Sequence, residues 1–158
     1  MFKKKFLIIP LFLVLTLSAC STVEPIEEYE TYRNSMDNFF ESVEKLDTQI
    51  NALDPESENA LEELFLLMDS LEKQFKYLSE ITVPDNYKAT EELACEAYDY
   101  MVQANEYFKE SFSENSYNEY TLEAGFECYE RANKRMHYII DILNGEIPED
   151  DNVTVELE

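Results

Sequence analysis

The chain has 158 residues, with 35 acids against 12 lysines and arginines, for a formal charge of −23; that sign repels phosphate and excludes nucleic acid as a partner. Only two glycines are present, too few for a phosphate-cradling loop, a dinucleotide fingerprint or a nucleophile elbow. A hydrophobic content of 45% and an aromatic content of 13% supply a core and argue against a disordered acidic tract.

Lys3, Lys4 and Lys5 open the chain, and Phe6 to Leu17 follows as an apolar run. That run has the length of a signal-peptide core and is short for a bilayer span. Pro10 within it weakens a permanent helix. Small Ser18 and Ala19 then precede Cys20.

Together, Leu17-Ser18-Ala19-Cys20 resembles the lipobox of bacterial lipoprotein precursors. The resemblance covers residues 1–20 and implies cleavage before Cys20, a thioether-linked diacylglyceryl group on its sulfur, and a membrane location facing outside the cytoplasm. Several acyl chains together give stable anchoring. Residues 1–19, the expected signal peptide, carry three lysines and no acid, so their removal takes the formal charge from −23 to −26. Residues 20–25 are the expected lipidated cysteine and tether. Ser21 to Pro25 reaches roughly 17 Å when extended, which holds the following domain close to the membrane.

That domain, residues 26–147, reads as four helices. In the first, Ile26 to Ala52, the residues Tyr29, Tyr32, Met36, Phe39, Val43, Leu46 and Ile50 recur at three- and four-residue steps and draw one apolar stripe. Asp54-Pro55 predicts an N-cap and first turn for a second helix running to Glu80, with Leu61, Leu64, Phe65, Met68, Leu71, Phe75 and Leu78 on its stripe. Pro84 biases Val83 to extended backbone, and Asp85 is the expected cap of a third helix reaching Phe112. The arc of that helix is wide, from Leu93 and Ala94 through Ala97, Met101 and Ala104 to Phe108. Ser116-Tyr117-Asn118-Glu119 has capping-box spacing. It leads into a fourth helix carrying Leu122, Phe126, Tyr129, Ala132, Met136, Ile139, Ile140 and Leu143. Asn144-Gly145 stops it, with Gly145 suited to a left-handed cap. Residues 148–158 form an acidic tail, expected to be disordered. Four helices of similar length with short connections predict an all-α, up-down-up-down four-helix bundle. A long two-helix coiled coil that dimerises is the alternative.

Candidate sites are few. His137 is the only histidine. It shares a polar stripe with Glu119, Glu123, Glu130, Lys134 and Asp141, so it is expected in water, whereas Met36 belongs to the core. This argues against haem ligation, and a di-iron centre needs a second Glu-x-x-His. No metal or cofactor is expected, nor an enzyme, since no nucleophile–base pair can be assembled. Cys95 and Cys128 remain as a candidate disulfide in an extracytoplasmic protein. Hairpin register displaces them by roughly 7 Å along the axis, against the close approach that a bridge needs. Tyr120 and Tyr138 are expected at the surface beside Arg131 and Arg135, suited to cation–π stacking.

Leu93, Tyr100 and Tyr107 lie on one edge of the third helix's arc and make a candidate partner face, because a bundle usually keeps such edges polar. Two function classes follow. The chain is an anchored interaction or structural module that docks a protein partner, or it is a ligand-binding bundle with a pocket between its helices. Underfilled space around Ala94, Ala97 and Ala104 would favour the pocket; a filled core with an apolar surface strip would favour docking. The lipobox carries its own test. Metabolic labelling with a fatty-acid analogue is expected to mark the wild-type protein and to vanish in Cys20→Ala; persistent label would move the anchor elsewhere.

Overall fold

The computed structural model describes residues 25–112 and 117–148. The expectations for the signal peptide, Cys20, Ser116 and the tail beyond Pro148 lie outside these residues. Within them the chain is all-helical, compatible with a helical bundle, and holds no strand. The helices are α1 (Pro25–Asn51), α2 (Ala60–Glu80), α3 (Ala89–Ser111) and α4 (Glu119–Leu143), with a 3-10 turn at Asp85–Tyr87. None of the described helices is long and apolar enough to cross a membrane.

Local chemistry sets the boundaries. Asp54 does not start α2. Its carboxylate accepts the Glu56 amide at 3.0 Å and its carbonyl accepts the Ser57 amide at 3.0 Å. This Asx-type turn competes with helix, and a second turn at Ser57 delays α2 to Ala60. Asp85 likewise opens the 3-10 turn rather than capping α3. For α4 the cap is Asn118, whose Oδ1 accepts the amides of Tyr120 at 3.1 Å and Thr121 at 3.3 Å; these are two of the donors that a helix start leaves unpaired. Gly145 closes α4 at φ +76°, as its position predicts.

Successive helices run antiparallel. Phe65 near the start of α2 meets Phe112 at the end of α3, and Asp69 meets Asn105 and Lys109. Glu96 early in α3 meets Arg135 late in α4, while Phe108 late in α3 meets Phe126 early in α4. The core runs along the middle, where Phe39, Leu71, Phe75, Met101 and Ile139 are buried. Phe39 and Phe75 join α1 to α2 edge to face at 5.6 Å, the arrangement that the ring quadrupoles favour.

The α3–α4 pair is the closest in backbone approach. Buried Ala97, Ala104, Gly125 and Ala132 put little bulk on these two helices. At Gly125 an added Cβ would stand 2.9 Å from the Phe108 ring and 3.3 Å from the Tyr107 Cβ. The pair α1–α4, by contrast, makes no such close approach along its length. Phe126 is therefore 54% exposed although its spacing predicts core, because no α1 residue covers it. Leu61 and Tyr29, also on the expected stripes, are exposed in the first turns of their helices.

The two glycines serve different ends, and substitution separates them. Gly125→Ala is expected to destabilise by about 1–3 kcal/mol through overpacking. Gly145→Ala is expected to cost about 1–2 kcal/mol through left-handed backbone alone. Asn, which tolerates that backbone, is expected to recover most of the loss at 145 and none at 125, as read by urea denaturation.

Candidate functional site

The aromatic edge of α3 is not free. Leu93 is only 8% exposed and belongs to the core, which corrects its place in the expected partner face. Tyr100 and Tyr107 are half-buried against that core. The reason is that α4 lies over this edge. Arg131 and Arg135 stack on the Tyr100 ring at 5.8 and 5.4 Å, and Gly125 sits over Tyr107. Arg135 Nε also donates to Glu96 at 2.6 Å, bracing the seam. The strip is an internal contact between α3 and α4. Tyr138 is buried as well, against the surface position its spacing predicts, with Lys134 over its ring at 5.7 Å; Tyr120 stands in water.

Both described cysteines are free thiols; Cys95 is exposed and Cys128 buried. Cys95 lies two positions before buried Ala97, which turns the two side chains about 160° apart on a helix. Cys95 thus points to solvent rather than into the core that holds Cys128, and the candidate disulfide is not formed. Burial pushes the Cys128 thiol above its ordinary pKa, with Arg131 opposing the shift. His137 is exposed and Met36 buried, as their stripes predict. Among the described residues no cluster of three His, Cys, Asp or Glu side chains is placed to hold a metal ion.

Two polar clusters escaped the periodicity. Asn105, 1% exposed, donates through Nδ2 to Asp69 at 2.8 Å and to Glu72 at 2.6 Å, while its Oδ1 is buried without a hydrogen bond. Lys109 completes the group by donating to Asp69. The hydrogen bonds from Lys109 and Asn105 hold the Asp69 carboxyl below its ordinary pKa. The legible signal is that Asn105 stands four residues after Met101 and three before Phe108, in core phase. At the other end of the bundle Tyr32 and Thr90 pair their hydroxyls at 2.7 Å, and Thr90 donates to the Tyr87 carbonyl at 2.9 Å. Tyr87 stacks against Tyr29 and Tyr32, with ring centroids 5.9 and 5.6 Å away. These contacts tie the start of α1 to the α2–α3 connection and to α3.

Two clefts lie along the α1–α4 seam, and another of about 430 Å³ lies at the end of α4, between Asn86 and Tyr87 and residues 142–148. Near the start of α1 a cleft of about 390 Å³ is bounded by Arg33, Asp37 and Phe40 on one side and by Ile140, Leu143 and Asn144 on the other. Near the end of α1 a second cleft of about 400 Å³ is floored by Ile50, Leu64, Phe108, Leu122, Phe126 and Tyr129, with Asp47 and Asn51 at its margin. Neither cleft is lined by Ala94, Ala97 or Ala104, which are fully packed. The core is filled at the alanines where the ligand-binding alternative would place its pocket, and the apolar opening lies between α1 and α4. Compared with family models, curated proteins and solved structures, the chain matches none.

The thiols give a direct check on this geometry. Alkylation of the native protein under non-reducing conditions is expected to modify Cys95 within minutes and to leave Cys128 unmodified until denaturant is added. Resistance of both thiols, reversed by a reductant, would mean that the bond forms.

Proposed function

We propose that the chain is a lipid-anchored protein of the outer face of the cell membrane, and that its body is an interaction module. In this reading residues 1–19 are removed, Cys20 carries the acyl chains, and residues 26–147 form an up-down-up-down bundle held near the membrane. The support for the anchor is the lipobox resemblance at Leu17-Ser18-Ala19-Cys20. The role proposed is binding rather than catalysis, since one exposed histidine and two glycines leave little from which to assemble a reactive centre.

The observation that carries the interaction reading is the apolar cleft between the end of α1 and the start of α4, with Phe126 54% exposed beside it. A large, open apolar site on a surface this rich in acids is a recognition surface. It replaces the α3 edge as the docking face. A second reading has support in the same observation: a cleft of about 400 Å³ is within the size range of small-molecule sites, so an apolar ligand could be the natural occupant.

Site-specific photo-crosslinking in intact cells separates the two. A benzophenone side chain replacing Phe126 is expected to give light-dependent adducts of protein mass. The same group replacing Tyr77, exposed on α2, is expected to give none. Adducts of small mass at position 126, without protein adducts, would favour the ligand-binding reading and end the docking one.

A further inference from the structure

Resting on the reading of the α1–α4 seam as a docking face, we propose that its occupant is a cationic amphipathic helix of a partner protein, laid along the seam with its apolar face in the lower cleft.

The floor supplies the apolar half of the match. Ile50, Leu122, Phe126 and Tyr129 face the opening from two helices, the arrangement by which helix-in-groove recognition reads apolar anchors at three- and four-residue steps. From Phe40, on the upper cleft, to Asn51, on the lower, α1 advances about 16 Å at 1.5 Å per residue, so an occupant of three or more turns spans the seam.

The rims supply the charge. Asp47 lines the lower cleft, and Glu44 lies one turn before it along α1. On α4, Glu123 and Glu130 stand three residues before and four residues after Phe126, and all four acids are exposed. No lysine or arginine lines this cleft. On α1 Lys45 follows Glu44 and is exposed outside the cleft lining; the bases of α4 are engaged elsewhere, Arg131 and Arg135 over Tyr100 and Lys134 over Tyr138. Arg33 sits at the far, upper cleft.

Charge also removes the other occupants. Residues 149–158 hold Glu149, Asp150, Asp151, Glu156 and Glu158 and no base, so this segment is repelled by the rims. A second copy would bring a formal charge of −23, or −26 after loss of the three N-terminal lysines, against its own sign. An anionic lipid surface is repelled in the same way. A helix with leucines on one face and lysines on its flanks satisfies floor and rims together.

The test uses the full chain in nanodiscs of phosphatidylcholine, with empty discs as the blank. The probe is a peptide of about 18 residues with Leu at i, i+3, i+4 and i+7, Lys elsewhere, and a photoreactive group on the Leu face. It is compared with a scrambled peptide of the same composition and with a peptide in which Glu replaces Lys. Selective binding of the amphipathic Leu/Lys peptide is expected, with crosslinks to α1 and α4 at the lower cleft. The paired reversal Asp47→Lys and Glu130→Lys is expected to weaken it about tenfold, and more at low salt than at high. Phe126→Ser is expected to weaken it too; all three residues being exposed, the melting temperature should stay within a few degrees of wild type.

Equal binding of the scrambled or the Leu/Glu peptide overturns the proposal, as do crosslinks confined to other surfaces or indifference to the paired reversal. Uptake of a neutral apolar dye by the cleft without peptide binding overturns it in favour of a small ligand. Should position 126 capture a protein in cells while the Leu/Lys peptide fails, the docking reading stands and the cationic helix falls.

Discussion

The close approach of α3 and α4 governs the rest of the structure. Alanines and one glycine on these helices let the backbones draw together until there is no room for a Cβ at Gly125 beside the Phe108 ring. The neighbouring α1 carries Tyr32, Met36, Phe39 and Phe40 toward the centre, and side chains of that size hold its axis farther out. Interaxial distance follows the bulk at the contact. With one seam tight and α1 braced against α2 through Phe39 and Phe75, the ring does not close evenly. The slack collects between α1 and α4. The cleft is thus a consequence of where the small and large residues lie, rather than of a missing side chain in the core.

Charge acts on the same geometry. Self-repulsion across a strongly acidic surface opposes compaction, and the described ion pairs with Lys76, Lys88, Lys109, Arg131 and Arg135 offset it locally. Most lie on exposed side chains, where each is worth little. The Arg135–Glu96 contact is the more enclosed, and it sits on the tight seam. Along the open seam Asp37 and Asp47 line the clefts, and Glu44, Glu123 and Glu130 are exposed. Like charges along both margins work against closure of that gap.

Much of the fold was legible because apolar periodicity reports burial directly. The stripes through Tyr32, Met36 and Phe39, through Met68, Leu71 and Phe75, and through Ala97, Met101 and Ala104 all lie in the core. Gly145 announced its own conformation. What periodicity cannot report is which neighbour covers an edge. Leu93 and Tyr100 looked surplus on α3 alone, yet Leu93 is buried and the arginines of α4 lie over Tyr100. Phe126 looked like core on α4 alone, yet α1 stands too far off to cover it. Boundaries failed for a different reason: Asp54 and Asn118 each satisfy nearby amides, so capping chemistry could favour a turn in one place and a helix start in the other. Asn105 escaped because a polar residue in core phase breaks an apolar pattern, although its phase is the clue.

The two ends of α1 are held differently. At its start the Tyr32–Thr90 hydroxyl pair and the stack of Tyr29, Tyr32 and Tyr87 join it to α3 and to the α2–α3 connection. At its far end it borders the open cleft. Any tension drawn through the residues preceding Pro25 enters the body at the riveted end and passes through these tyrosines into α3. The load path therefore bypasses the lower α1–α4 cleft, while Tyr29, Tyr32 and Tyr87 themselves line the upper one. The proposed docking groove lies at the other end of α1 from these tyrosines, so a pull at the N-terminal end and binding in that groove would fall on separate parts of one small body.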